Sequence, residues 1–153
     1  MLRRDFLRKT ATGMGAAWLS TTTSLASVLA FDTPARKFNA HDEVTLGKTG
    51  IRTSRLAMGT GTVGFGGASN QTRLGMSPFA RLLVNGYHEN GLTFFDTADS
   101  YGSHPYVATA LKQLPRDKVV VMTKTDNRNA SEIPADLDRF RKELGIDYID
   151  IVL

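Results

Sequence analysis

Residues 43–153 predict an α/β fold built on a parallel sheet, and three observations carry that expectation. Short apolar runs alternate with longer segments of helical periodicity. Glycine or proline marks most of the boundaries. The run Lys118–Thr123 is almost wholly apolar, as a strand covered by helices on both faces should be. Strand and helix in repeated alternation is the pattern of a parallel sheet whose crossovers are helices.

The elements follow in order. Glu43 to Ser54 reads as a hairpin, with Val44, Leu46 and Ile51 apolar and Gly47 and Gly50 bracketing the turn. Arg55–Gly59 is a short strand. A Gly-rich loop over 59–75 follows. The first helix fits Ser77 to Asn90, with Ser77 as N-cap and Pro78 at the first helical position. Phe79, Leu82, Leu83 and Tyr87 give it an apolar stripe, and Gly91 fits the left-handed residue that ends it. Leu92–Asp96 is the second strand. His104–Gln113 is the second helix, capped by Ser103. The third strand, Lys118–Thr123, is followed by a helix from about Glu132 to Leu144 that Gly145 closes. Tyr148–Leu153 begins a fourth strand, and the chain is expected to stop before its sheet is complete, since termini normally lie at the surface.

The chain has 153 residues, 41% hydrophobic and 22% charged, with 14 glycines, five prolines and no cysteine. That composition is globular, and it excludes disulfides and thiolate metal sites. The net charge is +4, of which residues 1–30 supply +3 through Arg3, Arg4, Arg8 and Lys9 against Asp5. No basic stripe suited to nucleic acid is left.

Residues 1–30 read as an address. A charged start precedes Ala11 to Ala30, which carries no charge. Arg3-Arg4-Asp5-Phe6-Leu7 resembles the twin-arginine export signal. Leu2 and Arg8 depart from its usual neighbours. The segment is too rich in Thr, Ser and Gly for a stable membrane span. The expectation is export to the periplasm through the twin-arginine machinery, with cleavage near Ala30. Residues 31–42 read as a linker.

Two folds share the strand–helix pattern. Gly59-Thr60-Gly61-Thr62-Val63-Gly64 has the GxGxxG form after a strand, and Asp96 ends the next strand, as in a Rossmann dinucleotide site. That turn must open directly into a helix, but Phe65-Gly66-Gly67-Ala68-Ser69-Asn70 cannot start one. The other fold is a (β/α)8 barrel, whose chemistry collects at the C-terminal ends of its strands. Asp96 and Lys124 end neighbouring strands there, and Tyr101 would hang over both. The trio has a use. A carbonyl that receives hydride needs a proton on its oxygen, and a tyrosine hydroxyl can give one. A nearby ammonium favours the phenolate left behind. A carboxylate paired with the ammonium offsets its partly buried charge. Each residue also has a plainer reading: a turn cap, a surface tyrosine, a solvated strand end.

Four stretches resemble the aldo-keto reductases in order and spacing. They are Leu46–Gly50, Phe94–Gly102, Val121–Lys124 and Leu144–Asp150. The resemblance implies a (β/α)8 TIM barrel, here its N-terminal half, with the hairpin capping its base. It implies NADPH-dependent reduction of an aldehyde or ketone to an alcohol, without metal. Tyr101 would be the proton donor, Lys124 the group that tunes it and Asp96 the lysine's partner. Gly59 and Thr60, with Asp96, would lie by the nicotinamide. The glycine loop would flank the substrate mouth. The family's catalytic histidine would fall just past Leu153. His41, His88 and His104 stand in the wrong places to replace it, and His104 is expected to pack at a helix start. With roughly 120 residues past the leader against about 250 for this barrel, the chain alone is expected to be inactive and to expose open sheet edges. The alternatives are a half-barrel that acts only with a complementary chain and a Rossmann-type nucleotide-binding module.

Overall fold

A computed structural model of the chain describes residues 37–153. The expected export signal and the expected cleavage point near Ala30 lie outside the described residues. A hairpin comes first: β1 (Glu43–Thr45) pairs antiparallel with β2 (Arg52–Ser54), Val44 opposite Thr53. Gly47 (φ +55°) and Gly50 (φ +77°) make the turn, and Leu46 N–H donates to Ile51 O.

A four-stranded parallel sheet follows, in the spatial order β3 (Ala57–Gly59), β4 (Phe94–Asp96), β5 (Val120–Thr123), β6 (Ile151–Val152). Its register sets Gly59 beside Asp96 and Asp96 beside Met122. The crossovers are α1 (Met76–Asn90), α2 (His104–Leu111) and α3 (Ile133–Leu144). Consecutive strands are spatial neighbours joined by helices, which is the path of a (β/α)8 barrel and not of a doubly wound sheet. None of the described helices is long and apolar enough to cross a membrane.

Side chains alternate across a strand, and here the alternation divides two jobs. Phe95 and Val121 face the helices and are fully buried against Phe79, Leu83, Val107, Ala110 and Leu144. Each such side chain withdrawn from water contributes about 1.5–3 kcal/mol. Asp96 and Met122 take the opposite face. Beneath the sheet, the Arg116 guanidinium donates to Asp150 Oδ2 (2.7 Å) and Tyr148 O (2.8 Å), which ties the entry of β5 to that of β6.

Several local expectations need correction. The first helix starts at Met76, with Gly75 (φ +87°) in the capping place, and Phe79 N–H donates to Gly75 O. Ser77 is therefore inside the first turn and caps nothing. Leu82 is 56% exposed. Ala80 and Gly86 are buried instead, and at Gly86 the helix comes so close to the sheet that a Cβ would sit 2.2 Å from Met58 Sδ. The second helix ends at Leu111, short of Gln113. Gly91 and Gly145 do close α1 and α3 in the left-handed conformation.

Candidate active site

The site forms where β3, β4 and β5 end. Asp96 closes β4, and Lys124 follows β5 on the same face two residues past Asp96's neighbour Met122. The Lys124 ammonium donates to Asp96 Oδ1 and, at 3.0 Å, to Thr97 O. Both side chains are about two-thirds buried. A carboxylate and a carbonyl thus fix the ammonium from one side.

Tyr101 arrives on the turn after β4. Asp99–Tyr101 form one turn of 3-10 helix, which Gly102 ends at φ +61°. The turn is tied to the strand exits through Asp99 N–H to Lys124 O (3.0 Å). Its ring lies with the Lys124 ammonium 5.1 Å from its centroid. The three residues that the sequence brought forward therefore meet.

The glycine loop explains itself at this point. A Cβ on Gly61 would lie 2.2 Å from Tyr101 Cδ2, and one on Gly64 2.5 Å from Cδ1. These glycines leave room for the phenol ring. They stand at no helix start, since α1 begins only at Met76, and the Rossmann reading of 59–64 fails on that geometry. The loop is buckled to the Tyr101 turn by Gly67 N–H to Ser100 O (2.9 Å). Gly59 is exposed at the end of β3, with nothing within 4 Å of where a Cβ would stand. That leaves the end of β3 bare beside Asp96.

Thr60 is fully buried, and its hydroxyl donates to Asp96 O (2.8 Å) and pairs with Ser103 Oγ (2.8 Å). Its backbone is engaged as well, N–H donating to Asp96 O (3.1 Å) and O accepting from Ser69 Oγ (2.8 Å), so Thr60 braces the strand end from within. Ser103 was expected to cap α2 with its hydroxyl, but spends it on Thr60 and makes no side-chain cap. His104 is buried, edge-on to Phe140 (5.0 Å), with Nδ1 2.7 Å from Glu143 Oε2 and Nε2 2.9 Å from Thr123 Oγ1. It packs at a helix start as expected. His88 is exposed in the last turn of α1, and His41 borders Gly91.

Sequence reasoning missed the polar face of α3. Arg139 donates to both oxygens of Asp99 (2.8 and 2.7 Å), to Asp136 (3.1 Å) and to Glu143 (3.0 Å). The spacing of Asp136, Arg139 and Glu143 at i−3 and i+4 was the available signal. These partners hold the guanidinium well above its ordinary range, the Asp99 bond most of all. The Thr125 hydroxyl, then Arg139, hold the Asp136 carboxyl below its ordinary 3.8. Ionised Asp136 thus favours the folded loop above pH 3.8, and the benefit fades as pH falls through the lower folded value. Asp136→Asn should flatten the acid limb of thermal stability below that pH. An unchanged acid limb in the variant would contradict this.

A sequence profile of the Aldo/keto reductase family matches residues 57–153. This chain belongs to that family. It is 41% identical over 87 residues to a probable aldo-keto reductase 1 of Glycine max, covering 53% of this chain and 23% of that one. It is 31% identical over 134 residues to the NADH-specific methylglyoxal reductase of Escherichia coli K12, covering 72% of this chain and 40% of the relative. The fold matches the thermostable aldo-keto reductase Tm1743, solved with the inhibitor epalrestat. The TM-score is 0.62 and the identity 24%, covering 72% of this chain and 41% of the other. The chain thus spans less than half the length of the relatives it matches. Another fold match, the Bombyx mori aldo-keto reductase AKR2E4, was solved in complex with NADP (TM-score 0.58, identity 21%, covering 72% of this chain and 36% of the other).

Proposed function

We propose that this chain is the N-terminal part of an exported, NADPH-dependent reductase of aldehydes or ketones. Tyr101 gives its proton to the carbonyl oxygen. Lys124 stabilises the phenolate that remains, and Asp96 with Thr97 O holds Lys124 in place. Gly59 and Asp96 line the seat of the nicotinamide, which supplies hydride when bound, and Thr60 braces that strand end from behind. The observation that carries the reading is the ammonium fixed between Asp96 and Thr97 with the Tyr101 ring 5.1 Å away.

Activity on this reading needs the strands that relatives carry beyond this region, and residues 43–153 alone are inactive. The leader sends the protein to the periplasm by the twin-arginine route. An enzyme that folds around a nicotinamide coenzyme before export suits that route.

The test is coenzyme oxidation at 340 nm by the protein as the cell makes it, with a panel of aldehydes and ketones. Carbonyl-dependent loss of NADPH supports the proposal. Turnover with NADH alone would correct the coenzyme and keep the chemistry. No turnover with either, by a protein that carries a whole barrel, would sink it. Replacing Arg3-Arg4 by lysines should hold the protein in the cytoplasm. Unchanged export would refute the twin-arginine route.

A further inference from the structure

We propose that Arg139 is a positioning residue, which aligns Tyr101 on Lys124 by clamping both loops to α3; this rests on the reductase reading above. The Tyr101 turn needs such a clamp. None of its three residues is buried, so packing alone does not fix it. Apart from the loop contact at Ser100 and the bond from Tyr101 N–H to Ala98 O, two ties hold it: Asp99 N–H to Lys124 O, and the Asp99 carboxylate gripped through both oxygens by Arg139.

The same guanidinium reaches Lys124 from both sides. Asp136 carries it to Thr125, whose hydroxyl donates at 2.6 Å. Glu143 carries it through His104 to Thr123. One cation, with one or two intermediaries, therefore ties down the turn that bears the phenol and both chain neighbours of the ammonium.

Charge decides the direction of the effect. Three carboxylates face Arg139, and removing it leaves them facing one another. Asp99 is the one on the loosest element, so the Tyr101 turn is what moves. The guanidinium is 43% exposed, and ion pairs of that exposure contribute little to global stability. Loss of alignment without loss of the fold is the expected signature. Lysine cannot replace the fork, since one ammonium does not grip two oxygens of Asp99 and still reach two other acids.

The experiment compares Arg139→Met, Arg139→Lys and Asp99→Asn in the protein as the cell makes it. Amide hydrogen exchange should rise at residues 99–102 in all three, least in Arg139→Lys. The thermal midpoint should stay near that of the parent. In turnover, kcat for Arg139→Met should fall roughly 10–100-fold, the scale of an ångström of misplacement. The coenzyme KM should hold, and the deuterium isotope effect from coenzyme labelled at the transferred hydrogen should grow. Unchanged exchange at 99–102 would overturn the clamp even if the parent shows no turnover. Faster exchange with unchanged kcat in an active parent would overturn the positioning role. Should Arg139→Met fail to fold, Asp99→Asn decides alone, because it leaves Arg139 its other two partners. A parent without carbonyl turnover would count against the reductase reading, and the exchange result would still judge the clamp.

Discussion

Tyr101→Phe should slow carbonyl reduction by about 10²–10⁴-fold, the usual contribution of a positioned general acid. The loss should fall on kcat, and coenzyme binding should be nearly unchanged. The ring is the part that fills the space left by Gly61 and Gly64, and phenylalanine keeps the ring. The hydroxyl is the part that gives the proton. Lys124→Met should cost a similar amount by a different route. It removes the charge that favours the phenolate and also leaves Asp96 without its cation. Asp96→Asn keeps the shape but loosens the ammonium, so its effect should be smaller than that of Lys124→Met. Steady-state kinetics with each variant, together with a fluorescence titration of the coenzyme, give the comparison. A Tyr101→Phe enzyme that keeps half of its parent's kcat would remove Tyr101 from the chemistry.

The trio was legible because strand alternation is a strict rule. Asp96 and Lys124 stand at the ends of consecutive strand segments, and parallel strands joined by a helix are neighbours, so the two had to meet if they shared a face. The fold was legible for the same reason, through the alternation of elements. What the sequence hid was contact between distant segments. Nothing local tells Asp99 that Arg139 lies across α3, or Ser103 that its hydroxyl is wanted by Thr60 and not by its own helix. Ser77 misled because a capping type is only a candidate until the preceding backbone is known, and Gly75 turned the chain first. Leu82 misled because a helix laid close on a sheet takes the side-chain-free Gly86 at the contact. The glycines of 59–64 fitted a phosphate-binding pattern by type, yet the reason for Gly61 and Gly64 is a tyrosine ring that arrives from the next βα unit.

That last point yields a second strong expectation, in which two glycines of the same site should fail in different ways. Gly102→Ala strikes backbone. At φ +61° an alanine pays about 1–2 kcal/mol for the left-handed conformation. Its Cβ would also fall 1.9 Å from Gly67 O, so the loop must retreat and give up the bond from Gly67 N–H to Ser100 O, about 1 kcal/mol more. A destabilisation of about 2–3 kcal/mol is expected from these two causes, read as a lower urea midpoint. Gly61→Ala strikes a side chain. Its Cβ would meet Tyr101 Cδ2 and Cε2 at 2.2 Å, and the ring can swing away where a carbonyl cannot. Stability should change little, while kcat should fall by up to about 10²-fold as the ring leaves its place beside the Lys124 ammonium. If Gly61→Ala instead abolished coenzyme binding and left kcat at saturation intact, the loop would be holding phosphate after all. If Gly102→Ala unfolded at the parent's urea concentration, the tight approach of the glycine loop to the Tyr101 turn would be wrong, and the packing that seats Tyr101 would fall with it.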